Sequence, residues 1–446
     1  MAYYRRGSSS PTSREASVLS TFEQELRGRI HGRRALTYVE DLVGVGDRFV
    51  GSDGDREAAE YVRAKFRGWG LETVDREFTT FGYRHTRAEL VLPAENQRFE
   101  AIPPYFSPPT PEGGARGGLV FVGSGEEQDY DGLDVEGKIV VLQEVGLGYS
   151  RFWLGTFAAL AARRGASAMV VIHPLPWPYR MSLEAGNGRL EDRFCAEQIP
   201  VVCVSAIDGA QIMYAIGRGR AEAELTVESE MPEVGSWNVS GILRGSEWPD
   251  EQLVVHAHRD HGLHPGANDN GSGFGTMMEI AAALVGTRPR RSIEFLCTTA
   301  EEGVTPGGAA YIEARKREGT LEQIRAAVDL DMFGVGGKVK LVELGLWPDV
   351  DPIRHTEWLM RRVEIVADEL GYDIGRMTSS WGVAESGRFL ENGVPAIWYW
   401  KPDDFYYHSI HDTVDKLDGN ALKAVADVTA IALWRMANDD DLPRES

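Results

Sequence analysis

Apolar and polar positions along the chain fall into three textures. In the first, residues 17–31 and 33–44 read as helices, followed by a Gly-rich turn over 44–52. Residues 55–70 then form an amphipathic pattern, with Ala58, Ala59, Tyr61, Val62 and Phe66 at rough helical spacing and Gly70 as the stop. Residues 72–80 predict a strand. In the second texture, residues 88–235, short apolar runs stand between Gly and Pro: strands are expected at 118–123, 138–143, 168–172 and 201–204, and a helix at 152–164. From 236 onwards strands and helices alternate. The strands are 253–257, 292–298, 326–332 and 394–400; the helices are 272–285, 308–318, 355–370 and 419–437. In the helix at 272–285, Met277, Ile280, Ala281 and Leu284 share one face.

This alternation predicts an α/β fold with a mixed, mainly parallel sheet and helices on both faces. The middle stretch is too long for a loop and predicts a small inserted domain, β-rich or α/β. The expected division is an N-terminal tail and helix over 1–35, a catalytic domain over 36–87 and 236–446, and an insert over 88–235. No internal repeat is visible.

Composition narrows the classes. With 446 residues, 43% of them hydrophobic, more than one domain's worth of core is available. The net charge of -21 repels nucleic acid, and no basic stripe offsets it; the plain reading of this acidity is solubility. Cys195, Cys203 and Cys297 are too few for a disulfide scaffold. A Cys195–Cys203 bridge stays open, with reduced buried thiols the preferred reading. Residues 1–17, rich in Ser, Arg and Gly, are expected to be disordered. They carry charges with no apolar run behind them, so no signal peptide is expected. Without an 18-residue apolar stretch, no membrane span is expected either, and the expected location is the cytoplasm.

In an open α/β sheet the site lies at the carboxyl ends of the strands. There the sequence places His258-Arg259-Asp260, then Gly266-Ala267-Asn268-Asp269-Asn270-Gly271-Ser272-Gly273 before a helix. Ala300-Glu301-Glu302-Gly303 follows, then Asp329-Leu330-Asp331-Met332, then Tyr407-His408-Ser409-Ile410-His411-Asp412-Thr413. Alone, an HxD is usually a surface or core pair and a Glu pair a solvated helix face. Asp331 within an apolar strand is rarer, because a buried carboxylate is costly unless paired or metal-bound. Together, carboxylates and imidazoles on successive strand ends point to a divalent metal site.

These strings, HxD, GAxDNxSG, EE, a strand ending in DM and YHxxxDT, resemble the co-catalytic di-zinc aminopeptidases, a broad group that includes carboxypeptidase Q and the glutamate carboxypeptidases. The resemblance covers about 36–86 and 236 to the end. Arg48-Phe49-Val50-Gly51-Ser52 is similar to the family's N-terminal motif. Gly137-Lys138-Ile139-Val140-Val141 and Arg164-Gly165-Ala166 make the insert resemble a protease-associated (PA) domain. The resemblance implies the zinc-exopeptidase, phosphorylase/hydrolase-like fold and two divalent ions per chain, zinc first, with manganese or cobalt also fitting the donors. It implies that His258 and Asp331 hold one metal, Glu302 and His408 the other, and that Asp269 bridges them. Glu301 would be the general base and Asp260 would orient His258. The implied reaction is amide hydrolysis of a peptide or small amide by a metal-activated water. By analogy the Asp269–Asn270 peptide is expected to be cis.

Other groups stay open. His256 shares a strand face with His258 and reads as a core or pocket histidine before an orienting one. His261 and His264 are expected in the cleft loop, and His411 competes with His408. After the Glu pair, relatives carry Gly-Leu and Gly-Ser, where this chain reads Gly303-Val304-Thr305-Pro306-Gly307-Gly308. Their Ser-Asp-His triplet is replaced within Ala384-Glu385-Ser386-Gly387-Arg388-Phe389. Glu385 is a candidate for holding a substrate amine and Arg388 for meeting a carboxylate; the alternative is that both are surface charges. Trp381, Trp398, Tyr399, Trp400, Phe405, Tyr406 and Tyr407 divide between core and an apolar substrate pocket, with Trp398 and Tyr407 as pocket candidates. The leading expectation is an aminopeptidase-type exopeptidase. Carboxypeptidase, dipeptidase and small-molecule amidase are alternatives on the same site, and a scaffold without catalysis is disfavoured because every ligand and the base are present. A single-zinc glutaminyl cyclase is disfavoured by the insert. A homo-oligomer is compatible with the sequence, and no nucleic-acid or membrane partner is expected.

Overall fold

The computed structural model describes residues 19–144, 154–183, 198–303, 305–347, 350–380 and 382–443. Cys195, Val304, Trp381 and the N-terminal tail therefore lie outside the described residues. Three helices open the described chain: α1 (Thr21–Arg29), α2 (Gly32–Gly44) and α3 (Asp53–Gly68). Ser20 starts α1 in a reciprocal capping box with Glu23, and Ser52 caps α3 by accepting from Asp55 N–H. β1 (Glu72–Phe81) follows. Next come β2 (Arg84–Leu92), β3 (Gln97–Glu100), β4 (Ala115–Phe121), β5 (Ile139–Gln143), α4 (Gly155–Arg163), β6 (Ala168–Ile172), β7 (Val201–Val204), α5 (Ala206–Gly217) and β8 (Glu222–Glu230). The chain returns through β9 (Glu233–Leu243), β10 (Trp248–His258), α6 (Gly271–Leu284), β11 (Arg291–Thr298), α7 (Pro306–Glu318) and β12 (Ile324–Leu330). It ends with β13 (Lys340–Trp347), β14 (Val350–Arg354), α8 (Glu357–Leu370), β15 (Gly375–Ser379), α9 (Ser386–Leu390), β16 (Ala396–Trp400) and α10 (Gly419–Asn438).

The strands make two sheets. The larger has the order β1-β9-β11-β10-β12-β16-β13-β14, with β15 added on β13. Its centre, β11-β10-β12-β16, is parallel, and β9 and β13 join it antiparallel on either side. Along β10 the side chains alternate between two cores. Leu253, Val255 and Ala257 pack with Phe274 and Met277 of α6, whereas Val254 packs with Tyr311, Ile312 and Phe389 on the other face. β11 and β12 both follow β10 in sequence yet lie on opposite sides of it. That reversal of strand order opens a crevice at the carboxyl ends of β10 and β12, where α/β folds bind ligands.

The second sheet has the order β3-β2-β8-β4-β5-β6-β7, with one apolar core on each face. β6 and β7 have the bounds expected from the apolar runs, while α5, β8 and β9 were not expected. β9 hides its pattern because Ser236, Asn238 and Ser240 are buried against Asp55, the Gly307 carbonyl and Glu294. α6 is buried at every residue except Ala282, where the spacing suggested one apolar face. α2 and α10 cover the side turned from the sheet.

Candidate metal centre

His258 and Asp331 sit at strand ends, and the other candidate ligands lie in the loops beyond them. His258 is the last residue of β10, and Asp331 follows the last residue of β12. Glu301 and Glu302 lie beyond β11, after Ala300 at φ 62°. Asp269 is set by its own loop: the Asp269–Asn270 peptide is cis, and Asn270 Nδ2 donates to the Leu330 carbonyl at 2.9 Å while its Oδ1 caps α6 by accepting from Gly273 N–H. Asp412 accepts from the N–H groups of Asn268 (2.7 Å) and Asp269 (3.1 Å). Arg48, fully buried, donates to the carbonyls of Arg259, Pro265 and Gly266 and so fastens this loop to β10. A second buried guanidinium, Arg259, is paired with Asp55 at 2.7 Å.

The ligand atoms converge. His258 Nε2 lies 3.4 Å from Asp269 Oδ1 and 3.5 Å from Asp331 Oδ1. His408 Nε2 lies 3.2 Å from Asp269 Oδ2 and 2.8 Å from Glu302 Oε2. Asp269 thus turns one oxygen to each histidine. The two imidazoles are oriented from behind: Asp260 Oδ1 is 3.3 Å from His258 Nδ1, and the Arg180 carbonyl accepts from His408 Nδ1 at 2.8 Å. A carbonyl only accepts, so His408 carries its proton on Nδ1 and, when neutral, offers a lone pair at Nε2. Asp260 also accepts from the N–H groups of Glu301 and Glu302, at 3.2 and 3.1 Å.

Buried His258 Nε2, Asp331 Oδ1 and Glu302 Oε1 have no hydrogen-bond partner among the described residues. Imidazole nitrogens and carboxylate oxygens of this kind are the donors zinc and related ions take. Electrostatics agrees with that fit. Burial, with repulsion from Glu302, Asp331 and Glu385, holds the Glu301 carboxyl well above its usual range despite the nearby His258. Burial likewise lifts Glu302 to about 7. Burial disfavours charged imidazoles too, but the facing carboxylates outweigh it and raise His258 well above its ordinary value and His408 to about 10. Asp269, between two imidazoles, is lowered in spite of its burial. A cation among these groups relieves the repulsion between carboxylates.

His258, Asp260, Asp269, Glu301, Glu302, Asp331 and His408 thus meet in one place; the substrate candidates do not all join them. Glu385 is no surface charge. It is 1% exposed, accepts from Thr298 Oγ1, and lies 3.7 Å from His256 Nδ1. Arg388 is half-buried, its Nε donating to Thr305 Oγ1 at 2.7 Å and its guanidinium 3.3 Å from Glu391. Trp398 stacks on Trp400 (4.7 Å) in a buried cluster with Met332, whereas Tyr407 stacks directly on the His408 ring (3.8 Å). His256 is a buried pocket histidine between Asp329 and Glu385, stacked on Phe389. His261 accepts from Arg48 N–H and faces Asp47, and His264 lies beside it, half-buried. His411 is exposed against Trp177 and outside the ligand set. Cys203 and Cys297 are free and buried. Asp412 belongs to a string visible in the sequence, but its role in holding the Asn268 and Asp269 N–H groups emerges only in the fold. Arg180, 228 residues from His408, carried no local signal.

Comparison with known proteins completes the picture. Residues 238–433 match Peptidase family M28, and residues 102–212 match the PA domain. The chain is 24% identical to aminopeptidase YwaD of Bacillus subtilis, over 96% of this chain and 90% of that protein. It is 25% identical to carboxypeptidase Q of Bos taurus, over 90% and 84%. It is also 25% identical to a probable glutamate carboxypeptidase, VP8, of Zea mays, where it spans 66% of the relative's length. The fold matches a peptidase M28 precursor from Shewanella amazonensis with a TM-score of 0.78, at 22% identity and covering 95% and 98% of the two chains. It matches BSAP, a zinc aminopeptidase from Bacillus subtilis, at 0.73 with 21% identity, covering 92% and 96%. Residues 238–433, which build the metal centre, thus match Peptidase family M28, and the PA-domain match lies between β1 and β9.

Proposed function

We propose that this metal-dependent peptide hydrolase is an aminopeptidase-type exopeptidase. The observation that carries the reading is the division of Asp269, one oxygen facing His258 and Asp331 and the other facing His408 and Glu302. That arrangement suits two cations sharing one anion, zinc before manganese or cobalt. When bound, such ions polarise the scissile carbonyl and make water acidic near neutral pH.

Glu301 takes the water's proton and returns it to the leaving amine. Its side chain is 19% exposed against 2% for Glu302, and it stands 3.9 Å from His258 Nε2. It is thus the acid of the pair with access to a bound molecule. Asp260 keeps both glutamates in register through their N–H groups. Asp260, Asp269, Glu301, Glu302 and Asp331 outnumber by one the four positive charges of two divalent ions, so the occupied centre stays slightly negative, which favours a substrate bearing a free ammonium over one ending in a carboxylate. Tyr407, half-buried against the His408 ring, favours an apolar or aromatic side chain.

The test is a substrate panel: aminoacyl-arylamides of Leu, Phe, Lys and Glu, their N-acylated forms, and dipeptides with free or amidated carboxyl ends. Turnover of free-amine substrates with Leu or Phe preferred is expected. Turnover restricted to N-blocked substrates or free carboxyl ends would move the function to an amidase or a carboxypeptidase, the reading favoured by the likeness to carboxypeptidase Q. Equal turnover of all four side chains would remove the apolar pocket.

A further inference from the structure

The PA domain reaches the metal centre through residues 173–180, His-Pro-Leu-Pro-Trp-Pro-Tyr-Arg. Three prolines fix φ at alternate positions and stiffen the segment. Its root, just past β6, is locked: His173 Nδ1 lies 2.8 Å from Glu144 Oε2, and its Nε2 lies 3.0 Å from the Tyr179 carbonyl. The Tyr179 hydroxyl donates to the same Glu144 oxygen, and the His173 and Tyr179 rings stack at 3.7 Å. All three side chains are buried.

Its tip grips His408 twice. Arg180 N–H donates to the His408 carbonyl at 2.8 Å, and the Arg180 carbonyl accepts from His408 Nδ1 at 2.8 Å. Trp177 adds a stacked contact to Tyr406, with ring centres 6.0 Å apart. From the other side Gly262 packs so closely on the His408 ring that a Cβ there would stand 2.3 Å away. Gly262 is itself held by the Tyr105 hydroxyl, over whose ring the Arg180 guanidinium lies at 5.0 Å. The His258 ring differs, since Asp260, which faces its Nδ1, follows it on the same chain segment.

We infer that residues 173–180 are a positioning arm by which the PA domain sets the His408 imidazole, so that one of the two metal positions depends on the docking of that domain and the other does not. Partners of this kind, standing behind a ligand, change metal affinity by roughly 10–100-fold when lost. The inference rests on the two-metal reading.

It is tested by titrating metal-free protein with Zn2+ against a chromophoric chelator, and with Co2+ followed by its visible spectrum. Wild type is compared with P174G/P176G/P178G, with W177A, and with Y214A as a control on an exposed residue of α5. Expected are two equivalents in wild type and Y214A. In the triple variant one equivalent should keep its affinity within about twofold while the other weakens by roughly 10-fold or more, with a smaller loss in W177A. The Co2+ spectrum should change for the weakened equivalent alone. Thermal unfolding of the metal-free forms identifies a variant that has lost its fold, and W177A then carries the test. Two equivalents of wild-type affinity in a folded variant, or equal weakening of both, would overturn the inference. Fewer than two equivalents in wild type would overturn the two-metal reading and this inference with it.

Discussion

Among single residues, what matters is which atoms are already engaged. Asp260 and the Arg180 carbonyl occupy the Nδ1 side of the two imidazoles and leave Nε2 facing the carboxylates. Replacing Glu301 with Gln removes the proton acceptor without removing a nearer ligand. It should lower kcat by roughly 10²–10⁴-fold with metal content unchanged by elemental analysis; loss of a metal equivalent would make Glu301 a ligand instead. Replacing Asp260 with Ala should weaken metal binding by about 10–100-fold in the same chelator titration, and unaltered affinity would remove its orienting role. The candidate ligands are legible in the sequence because each is an imidazole or carboxylate at the end of an apolar strand or in the loop that follows one. The surroundings of Glu385 were not legible. Its burial depends on Thr298 and His256, which only the folded sheet brings to it.

Elements carry these groups to one point, and close backbone approach is the device. A Cβ on Gly273 would stand 1.9 Å from the Leu330 carbonyl oxygen, the atom next to Asp331. The start of α6 therefore lies against the end of β12 only because that residue has no side chain. Gly273→Ala should push α6 away, destabilise the fold by about 1–3 kcal/mol in urea unfolding, and reduce metal uptake through Asp269 and Asp331 together. A variant with wild-type stability and metal content would show that the helix is free to shift. The central strands and long helices were readable from their apolar periods. β9 was not, since its buried serines and asparagine look like loop residues until Asp55 and Glu294 are placed beside them. The spacing of α6, buried at all but Ala282, suggests one apolar face because nothing local announces that α2 and α10 cover its far side.

Over the whole molecule, the acidic centre makes metal uptake a proton-coupled event. In the metal-free protein burial opposes the charge on His408, but Glu302 and Asp269 hold its proton up to about 10. Below that pH a cation must displace the proton before Nε2 can bind it. Uptake should therefore release protons, about one or more per chain at about pH 7.5 in weak buffer with an indicator dye, and apparent affinity should fall as pH is lowered. No release would mean that His408 is already neutral there. The most direct test of the account is anomalous diffraction at the zinc absorption edge from a crystal of the zinc-loaded protein. Two peaks are predicted, one among His258, Asp331 and Asp269 and one among His408, Glu302 and Asp269, with Asp269 between them. A single peak, or none among these residues, would contradict it.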